Sequence, residues 1–587
     1  MSSLTESPCS LPTLPIPADT DAATIASDFS KNLFSLQGHH FVEDAVWRDI
    51  FALTGTLRTF YSASSISIAW HETTKRANAG SFILDPASAR IIRLPQGSSW
   101  IEASFAFETN ATPRTKCTGI MSLVPGSDGK WRIWVLRSIL EQLKSAGDVD
   151  VLDPAINVNG KANEYPEQTH FDCVIIGGGQ AGLGTAGRMK ALGISYVVLD
   201  KQQNIGDNWK MRYVSARLHT AREYAHLPFE RTFPSRYQEF LSRDDLVEGY
   251  RNWADKFNIN IWLGTKPISG TWDSSQERWT LILQRHGKEM SITCSYIVVA
   301  GGAGGQVLKM PSYPGREVFE GLVLHSVEYK DASKWKGKHG IVIGTANTAH
   351  DVAVDMVEAG LSSVTMIQRS KTYVLPIEHY LKISKLTYNA TIPTAIADRS
   401  SQTQPIAILD LISQVALHTS ARQEPERFDA LERAGFKLDR WGSIQQCLYA
   451  RAGGHYIDVG GSEMIAKGLI RMKSDALPCR YLKNGLEFND GTHLNADVIV
   501  FATGFDVNMR YLVKEIFGDD VAELMGDYWG LDREGELKGA FRPCGHPAMW
   551  YHGGTIGHAR YYSRFLALQI KAKSLGMPLP LYERRFD

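Results

Sequence analysis

The spacing of apolar residues changes along this chain, and the changes divide it. Residues 1–28 are rich in Ser, Thr, Pro and Asp and lack a periodic apolar pattern, which predicts a disordered tail. From 29 to 148 a helical stretch, WRDIFALTG, precedes strand-like runs, ISIAWHE, SFILDP, RIIRL, SWIEASFAFET, TKCTGIMSLVPG and KWRIWVLRSI, with Gly or polar turns between them. Helix first and curved antiparallel sheet after it predict an α+β domain. Residues 149–168, with Pro, Asn and Gly, read as a linker.

Beyond the linker, strand and helix periods alternate. FDCVII runs into Gly177-Gly178-Gly179-Gln180-Ala181-Gly182, then a helical TAGRMKALG and a strand, SYVVLD, that ends in Asp200. This is a complete βαβ fingerprint: the glycines allow a tight turn, the helix N-terminus faces a pyrophosphate, and the acid takes ribose hydroxyls. KHGIVI repeats the context before Gly344-Thr345-Ala346-Asn347-Thr348-Ala349, HDVAVDMVEAG and SVTMIQRS, with alanines for the second and third glycines. Where an NAD-binding unit tends to carry an acid, this strand ends in Arg369, Ser370 and Lys371, and a guanidinium there can fork onto a 2′-phosphate. That favours NADPH over NADH, a surface basic cluster being the plainer alternative.

Two such loops predict two nucleotides meeting in one enzyme. The expected order is a first nucleotide domain at 169–335, a second at 336–480, and a return to the first at 481–587. A strand ending in Ala502-Thr503-Gly504 is expected to place its amides beside the first nucleotide. An amphipathic insertion at 405–441, with ILDLISQVAL and FDALERAGF, fits either a lid over a pocket or a cover for the edge of the second domain.

Composition narrows the partners. The 587 residues balance 63 Lys and Arg against 63 Asp and Glu, so no global field steers the chain to nucleic acid or an anionic membrane. Seven scattered cysteines without a CxxC spacing fit free thiols in a reducing compartment. There is no long apolar run and no basic-then-apolar leader, and the expectation is a soluble cytoplasmic protein that acts on small molecules. No metal-ligand or Ser-His-Asp pattern stands out.

Two resemblances sharpen this. FVEDAVWRDIFALTGTLRTFYS and WRIWVLRSILEQL resemble the nuclear-transport-factor-2-like (NTF2-like) cone, which in other proteins packs, dimerises or holds a ligand. Residues 171–573 resemble the flavin-containing monooxygenases, the class B flavoprotein oxygenases. Phe319-Glu320-Gly321-Leu322-Val323-Leu324-His325-Ser326-Val327-Glu328-Tyr329 fits their identifying FxGxxxHxxxY/F, joined by Phe501 to Gly504 and by Asn347-Thr348-Ala349. The ending Tyr329-Lys330 is unlike that of Baeyer-Villiger enzymes. His219 stands where N-oxygenating members carry asparagine, and together with GGHYIDVGGSEMI it is similar to the plant YUCCA-like branch, which acts on 2-oxo acids.

The resemblance implies an α/β flavoprotein with two dinucleotide-binding domains: a Rossmann-like FAD domain with an inserted NADPH domain, preceded by the α+β cone, through which the chain could form a homo-oligomer. It implies FAD contacts at Gly177, Gly179, Gln180, Ala181, Gly182, Asp200, Lys201, Asn208, Trp209 and Thr220. It places NADPH at Gly344, Ala346, Asn347, Thr348, Arg369 and Ser370, with His325, Ala502, Thr503 and Gly504 at the junction. NADPH would reduce FAD, O2 would add to it, and a C4a-hydroperoxyflavin would oxygenate a small apolar or aromatic metabolite. His219 is the catalytic candidate, as a donor to the peroxide or the ribose, against a plain packed histidine. Hydroxylation or oxidative decarboxylation stands ahead of N- or S-oxygenation and Baeyer-Villiger oxidation. A disulfide reductase would need a close cysteine pair that the sequence lacks, and a non-enzymatic nucleotide-binding scaffold rests only on the altered second loop.

Overall fold

The computed structural model describes residues 8–155, 168–302 and 307–585. The N-terminal unit is an α+β layer pair whose elements exchange places relative to the sequence reading. WRDI lies in strand β1 (Phe41–Ile50), and ISIAWHE lies in helix α2 (Ala63–Arg76), which follows β2 (Leu57–Tyr61). Helical spacing was present in α2, since Ile66, Ala69, Trp70 and Thr73 share its buried face and Ser62 caps it. Its β-branched residues mimic strand alternation.

Strands β3 (Ala79–Arg93), β4 (Ser99–Thr109), β5 (Thr115–Pro125) and β6 (Trp131–Leu143) complete a sheet of order β2-β1-β6-β5-β4-β3. The supposed tail is structured from residue 8 onward. The Ile16 N–H donates to Ser99 Oγ at 3.0 Å, and Asp21 caps helix α1 (Ala22–Ser30). Residues 1–7 lie outside the described part.

The first nucleotide unit has β7 (His170–Ile176), α3 (Gln180–Ala191), β8 (Tyr196–Leu199), a short α4 (Asp207–Lys210), α5 (Arg243–Lys256) and β9 (Ile261–Trp262). With β10 (Thr265–Asp273), β11 (Arg278–Arg285) and β12 (Lys288–Val299) these strands form a sheet of order β10-β11-β12-β7-β8-β9. The strand Met549–Tyr551 joins it beside β12, and the C-terminal helix Ile556–Ser574 packs on α3.

The second unit is a five-stranded parallel sheet, in spatial order Leu322–His325, Val498–Phe501, His339–Ile343, Ser363–Ile367 and Arg471–Lys473. Two boundaries therefore move. Leu322–His325 already belongs to the second unit, and the chain returns to the first sheet through the helix Arg510–Phe517, packed on β10, and the strand Met549–Tyr551 rather than from 481. Short apolar strands suit either parallel sheet, so their sequence does not choose between them.

Between these strands lie α6 (Asn347–Glu358), α7 (Ile377–Ser384), α8 (Thr394–Gln402), α9 (Ile406–Gln423), α10 (Pro425–Arg433) and α11 (Gly461–Ala466). Ala407 and Ile408 of α9 share an apolar cluster with Val46, Trp100, Trp134 and Val135 of the N-terminal unit. Buried arginines fasten the same region. Arg48 donates to Glu536 and to the Gln402 and Gln404 carbonyls, and Arg560 grips Asp398 at 2.6 and 2.7 Å. The expected linker begins packed, with Val149 buried and Asp150 paired to Arg188 and Arg564. Residues 156–167 lie outside the described part.

Candidate functional site

The first glycine loop is shaped by close backbone approach. Gly177 holds φ +110°, where a methyl would sit 2.3 Å from the Ala300 carbonyl oxygen, and a methyl on Gly182 would lie 1.8 Å from the Gly177 oxygen. Asp200 accepts from the Gly178 and Gln202 N–H groups at 2.9 Å each, and burial raises its pKa.

Gly179 begins α3 without a side-chain cap, so the first N–H groups of the helix stay available to an anion. Asn208 stands beside it, with Nδ2 at 3.5 Å from where a Cβ would be. Gln180 reaches the Gly554 carbonyl at 3.4 Å. Ala181 is buried, Thr220 and Trp209 half-buried and Lys201 exposed. An uncapped helix start and a glycine cradle fit a dinucleotide.

The second loop copies part of this. A methyl on Gly344, at φ +124°, would meet the Ala502 carbonyl oxygen at 2.5 Å, and Ala346 starts α6, again without a side-chain cap. Ala502-Thr503-Gly504 thus flanks the second loop, not the first as expected, because Val498–Phe501 pairs with His339–Ile343. Asn347 turns from the loop and accepts from the Ile457 N–H at 2.8 Å. Thr348 is half-buried on the first turn of α6, and Arg369 and Ser370 are exposed just past Ser363–Ile367. His325 is buried at the end of its strand, where its Nδ1 accepts from the Val327 N–H at 3.3 Å and its ring meets Phe505 edge-on. Burial lowers its pKa and keeps it neutral.

A strap of the first unit, Tyr213 to His219, crosses α6. Tyr213 OH donates to Asp351 Oδ2 at 2.6 Å, and His219 Nε2 lies 3.7 Å from that oxygen. Ser215 Oγ and Tyr329 OH donate to Asp355 at 2.7 and 3.0 Å. Burial raises the pKa of both carboxyls.

Beside His219 opens a cavity of about 670 Å³, walled by the strap, by α6, by Ile377 and Glu378 of α7, by Arg427 and Ala430 of α10, and by residues 458–466. Within the insertion, α9 packs against the N-terminal unit and α10 lends Arg427 and Ala430 to the cavity wall. Sequence reasoning missed Asp351, Asp458 and Ser462. The one signal for the first was a pair of acids, Asp351 and Asp355, one turn apart on an amphipathic helix. Glu378, His379 and Glu424 present metal-capable atoms at the cavity edge, but Arg427 pairs with Glu378 at 2.5 Å and with Glu424 at 3.6 Å, where a cation would bind.

With this geometry in place, comparison with known proteins is informative. Residues 174–387 match the family model described as pyridine nucleotide-disulphide oxidoreductase. The probable indole-3-pyruvate monooxygenase YUCCA9 of Arabidopsis thaliana is 26% identical over 354 residues, 58% of this chain and 76% of the relative. The FAD-containing monooxygenase EthA of Mycolicibacterium smegmatis is 26% identical over 363 residues, 58% of this chain and 70% of EthA. The relatives it matches are flavin monooxygenases, and the chain is similar to them over more than half of its length.

Two solved structures share the fold of this chain at a TM-score of 0.50. They are an oxidised steroid monooxygenase bound to NADP (16% identical, covering 70% of this chain and 86% of that one) and an ε-caprolactone-bound cyclohexanone monooxygenase (17%, 69% and 88%). The disulphide chemistry in the family model's description finds no support in the cysteines. No disulfide forms among the described residues, and Cys173 and Cys294, on neighbouring strands, are fully buried with their thiol pKa values raised by that burial. Such thiols are not nucleophiles.

Proposed function

We propose that this chain is an FAD- and NADPH-dependent monooxygenase that oxygenates a small apolar or aromatic metabolite in the cavity at His219. The first loop, with Asp200 and the uncapped start of α3, holds FAD. The second holds NADPH, and Arg369 receives its 2′-phosphate. Bound together, flavin and nicotinamide supply the reduction of O2 and the transfer of one oxygen atom.

The residues of the chain do the rest. Asp200 orients a ribose, the strap holds the two units in register by donating from Tyr213 and Ser215 to α6, and Asp351 lies 3.7 Å from the His219 ring at the cavity wall. His219 serves as hydrogen-bond donor to the reacting oxygen or to the nucleotide ribose. Apolar walls such as Leu218 and Ile377 exclude water from it. Histidine at this place favours hydroxylation or oxidative decarboxylation over N- or S-oxygenation, and Tyr329-Lys330 speaks against Baeyer-Villiger oxidation.

We read the N-terminal unit as an NTF2-like cone with a packing role, because aromatic pairs such as Trp47 with Phe60 (4.9 Å) and with Trp70 (5.2 Å) fill its inner face. A cytoplasmic location belongs to the same reading.

The observation that carries the proposal is the pair of uncapped glycine-loop helices, with a cavity lined by His219 beside Asp351 of the second. Purified protein should be yellow and should consume NADPH and O2, and labelled O2 should mark the product. A colourless protein that FAD cannot reconstitute defeats it.

A further inference from the structure

Residues 577–585, which follow the C-terminal helix, form neither helix nor strand, yet they lie against the N-terminal unit at the β1–β2 loop and one side of α2. Two arginines hold four of their carbonyls. Arg76 donates to the Pro580 and Leu581 oxygens at 3.1 and 2.8 Å, and Arg58 to those of Tyr582 and Arg584 at 2.5 and 2.8 Å. The Tyr582 N–H donates in turn to the Thr54 carbonyl at 2.9 Å. All five bonds are made to backbone, so they suit an extended peptide whatever its side chains.

Specificity comes from one anchor. Among residues 580–585 only Tyr582 is buried, at 8% exposure, whereas Leu581 beside it is 45% exposed. Its ring lies 6.2 Å from that of Phe60, with the Arg76 and Arg58 guanidiniums at 5.5 and 5.8 Å, and its hydroxyl donates to Glu72 Oε2 at 2.5 Å. The other Glu72 oxygen takes the Arg584 guanidinium. The cleft is held open by contacts outside the segment. Glu534 accepts from Arg58 Nε at 2.8 Å, the Leu53 carbonyl accepts from Arg76 at 2.9 Å, and Gly55, at φ +71°, leaves the space where a methyl would sit 2.4 Å from the Pro580 oxygen. A preset backbone clamp with a single aromatic anchor is a way of recognising a peptide.

We propose that the N-terminal unit is a peptide-binding module: its cleft at Thr54, Arg58, Glu72 and Arg76 takes an extended segment of the pattern Tyr-x-Arg, and residues 579–585 fill it in cis as a displaceable occupant. The proposal does not depend on the oxygenase reading. It gives the packing role of the unit a chemical basis, because the clasp ties α2 to the helix Ile556–Ser574, which packs on α3. A short stretch joins the segment to that helix, so its local concentration at the cleft is high and a free peptide competes poorly until the segment is removed.

The test uses the protein ended after Pro578 and a fluorescein-labelled peptide of residues 579–585. Fluorescence anisotropy should show the shortened protein binding the peptide and the full chain binding it at least about tenfold more weakly. Tyr582→Ala in the peptide should cost about tenfold or more. Tyr582→Phe in the peptide and Glu72→Gln in the protein should each weaken binding severalfold, and both together no more than either alone, because they remove the same hydrogen bond. Should the shortened protein fail to fold, full-length Tyr582→Ala takes its place and should bind the peptide about tenfold more tightly than the wild type does. A folded shortened protein that ignores the peptide, a full chain that binds it equally well, or losses from the two single changes that simply add, each overturns the proposal.

Discussion

The two glycine loops begin alike and end differently. In each, a positive-φ glycine passes under a neighbouring carbonyl, at 2.3 Å from a notional methyl in the first and 2.5 Å in the second. At the third glycine position they part. Gly182 leaves no room, with the Gly177 oxygen 1.8 Å from its notional Cβ, whereas the second loop accommodates the real methyl of Ala349 in a fully buried place.

The cause lies in what each helix packs against. Helix α3 is pressed between its sheet, the C-terminal helix and α5, so that Gly184 and Gly187 also lie against the Ala559 carbonyl and the Trp253 ring. Helix α6 packs on its sheet, on α11 and on the strand His455–Asp458, and on its remaining side offers Asp351 and Asp355 to the hydroxyls of the strap. Where backbone passes against a helix only glycine fits, and where side chains and a polar partner meet it alanine is tolerated.

The largest break in this comparison is Gly182→Ala. Backbone overlap cannot relax by a rotamer change, so a loss of about 3 kcal/mol or more is expected, read as lost soluble, flavin-loaded protein. Equal yields of wild type and variant would mean that α3 does not sit as close as described.

Acid should weaken both units next. Burial pushes His552 and His558 of the first unit down to about 3, and His350 and His455 of the second to about 4. The folded protein then binds fewer protons than the unfolded chain, whose imidazoles titrate near 6.5. Stability is full above that pH and falls below it, by roughly 1.4 kcal/mol per pH unit for each fully buried imidazole. The raised carboxyls of Asp200 in the first unit and of Asp351 and Asp355 in the second act with the opposite sign. Between pH 6.5 and 5 the melting temperature should therefore fall, and one that stays level across that range would contradict it.

Arg369→Glu should raise the apparent NADPH constant about ten- to hundredfold, with much less change for NADH and with the yellow colour kept, the worth of one forked, charge-assisted contact. Colour lost with the arginine would mean that the two nucleotides had been exchanged. Ala349→Gly should cost least, about 0.5 to 1 kcal/mol of melting stability from helix propensity alone. A larger loss would show that the methyl packs more tightly than its counterpart position in α3 suggests.

Local signals carried most of what was legible. Gly177 to Gly182 with Asp200, and Gly344 to Ala349 with Arg369, are read within one βαβ unit, where turn, helix start and strand end are set by neighbours in sequence. The sequence by itself therefore determined two nucleotide units, their order and the likeness to flavin monooxygenases. It misled where local pattern was ambiguous: ISIAWHE satisfies both periods, and only packing of Trp70 against Trp47 selects the helix.

It was silent where residues far apart must meet. Ala502 came to the second loop because a parallel sheet took Val498–Phe501 as its neighbour, and the tail became ordered because Ser99 and the sheet around it gave Ile16 a burial site. His219, Asp351, Arg427 and Asp458 come from a strap, two helices and a strand end, each unremarkable alone. Only the tertiary structure brought them round one cavity, because burial and charge pairing are properties of neighbours in space, which no spacing along the chain records.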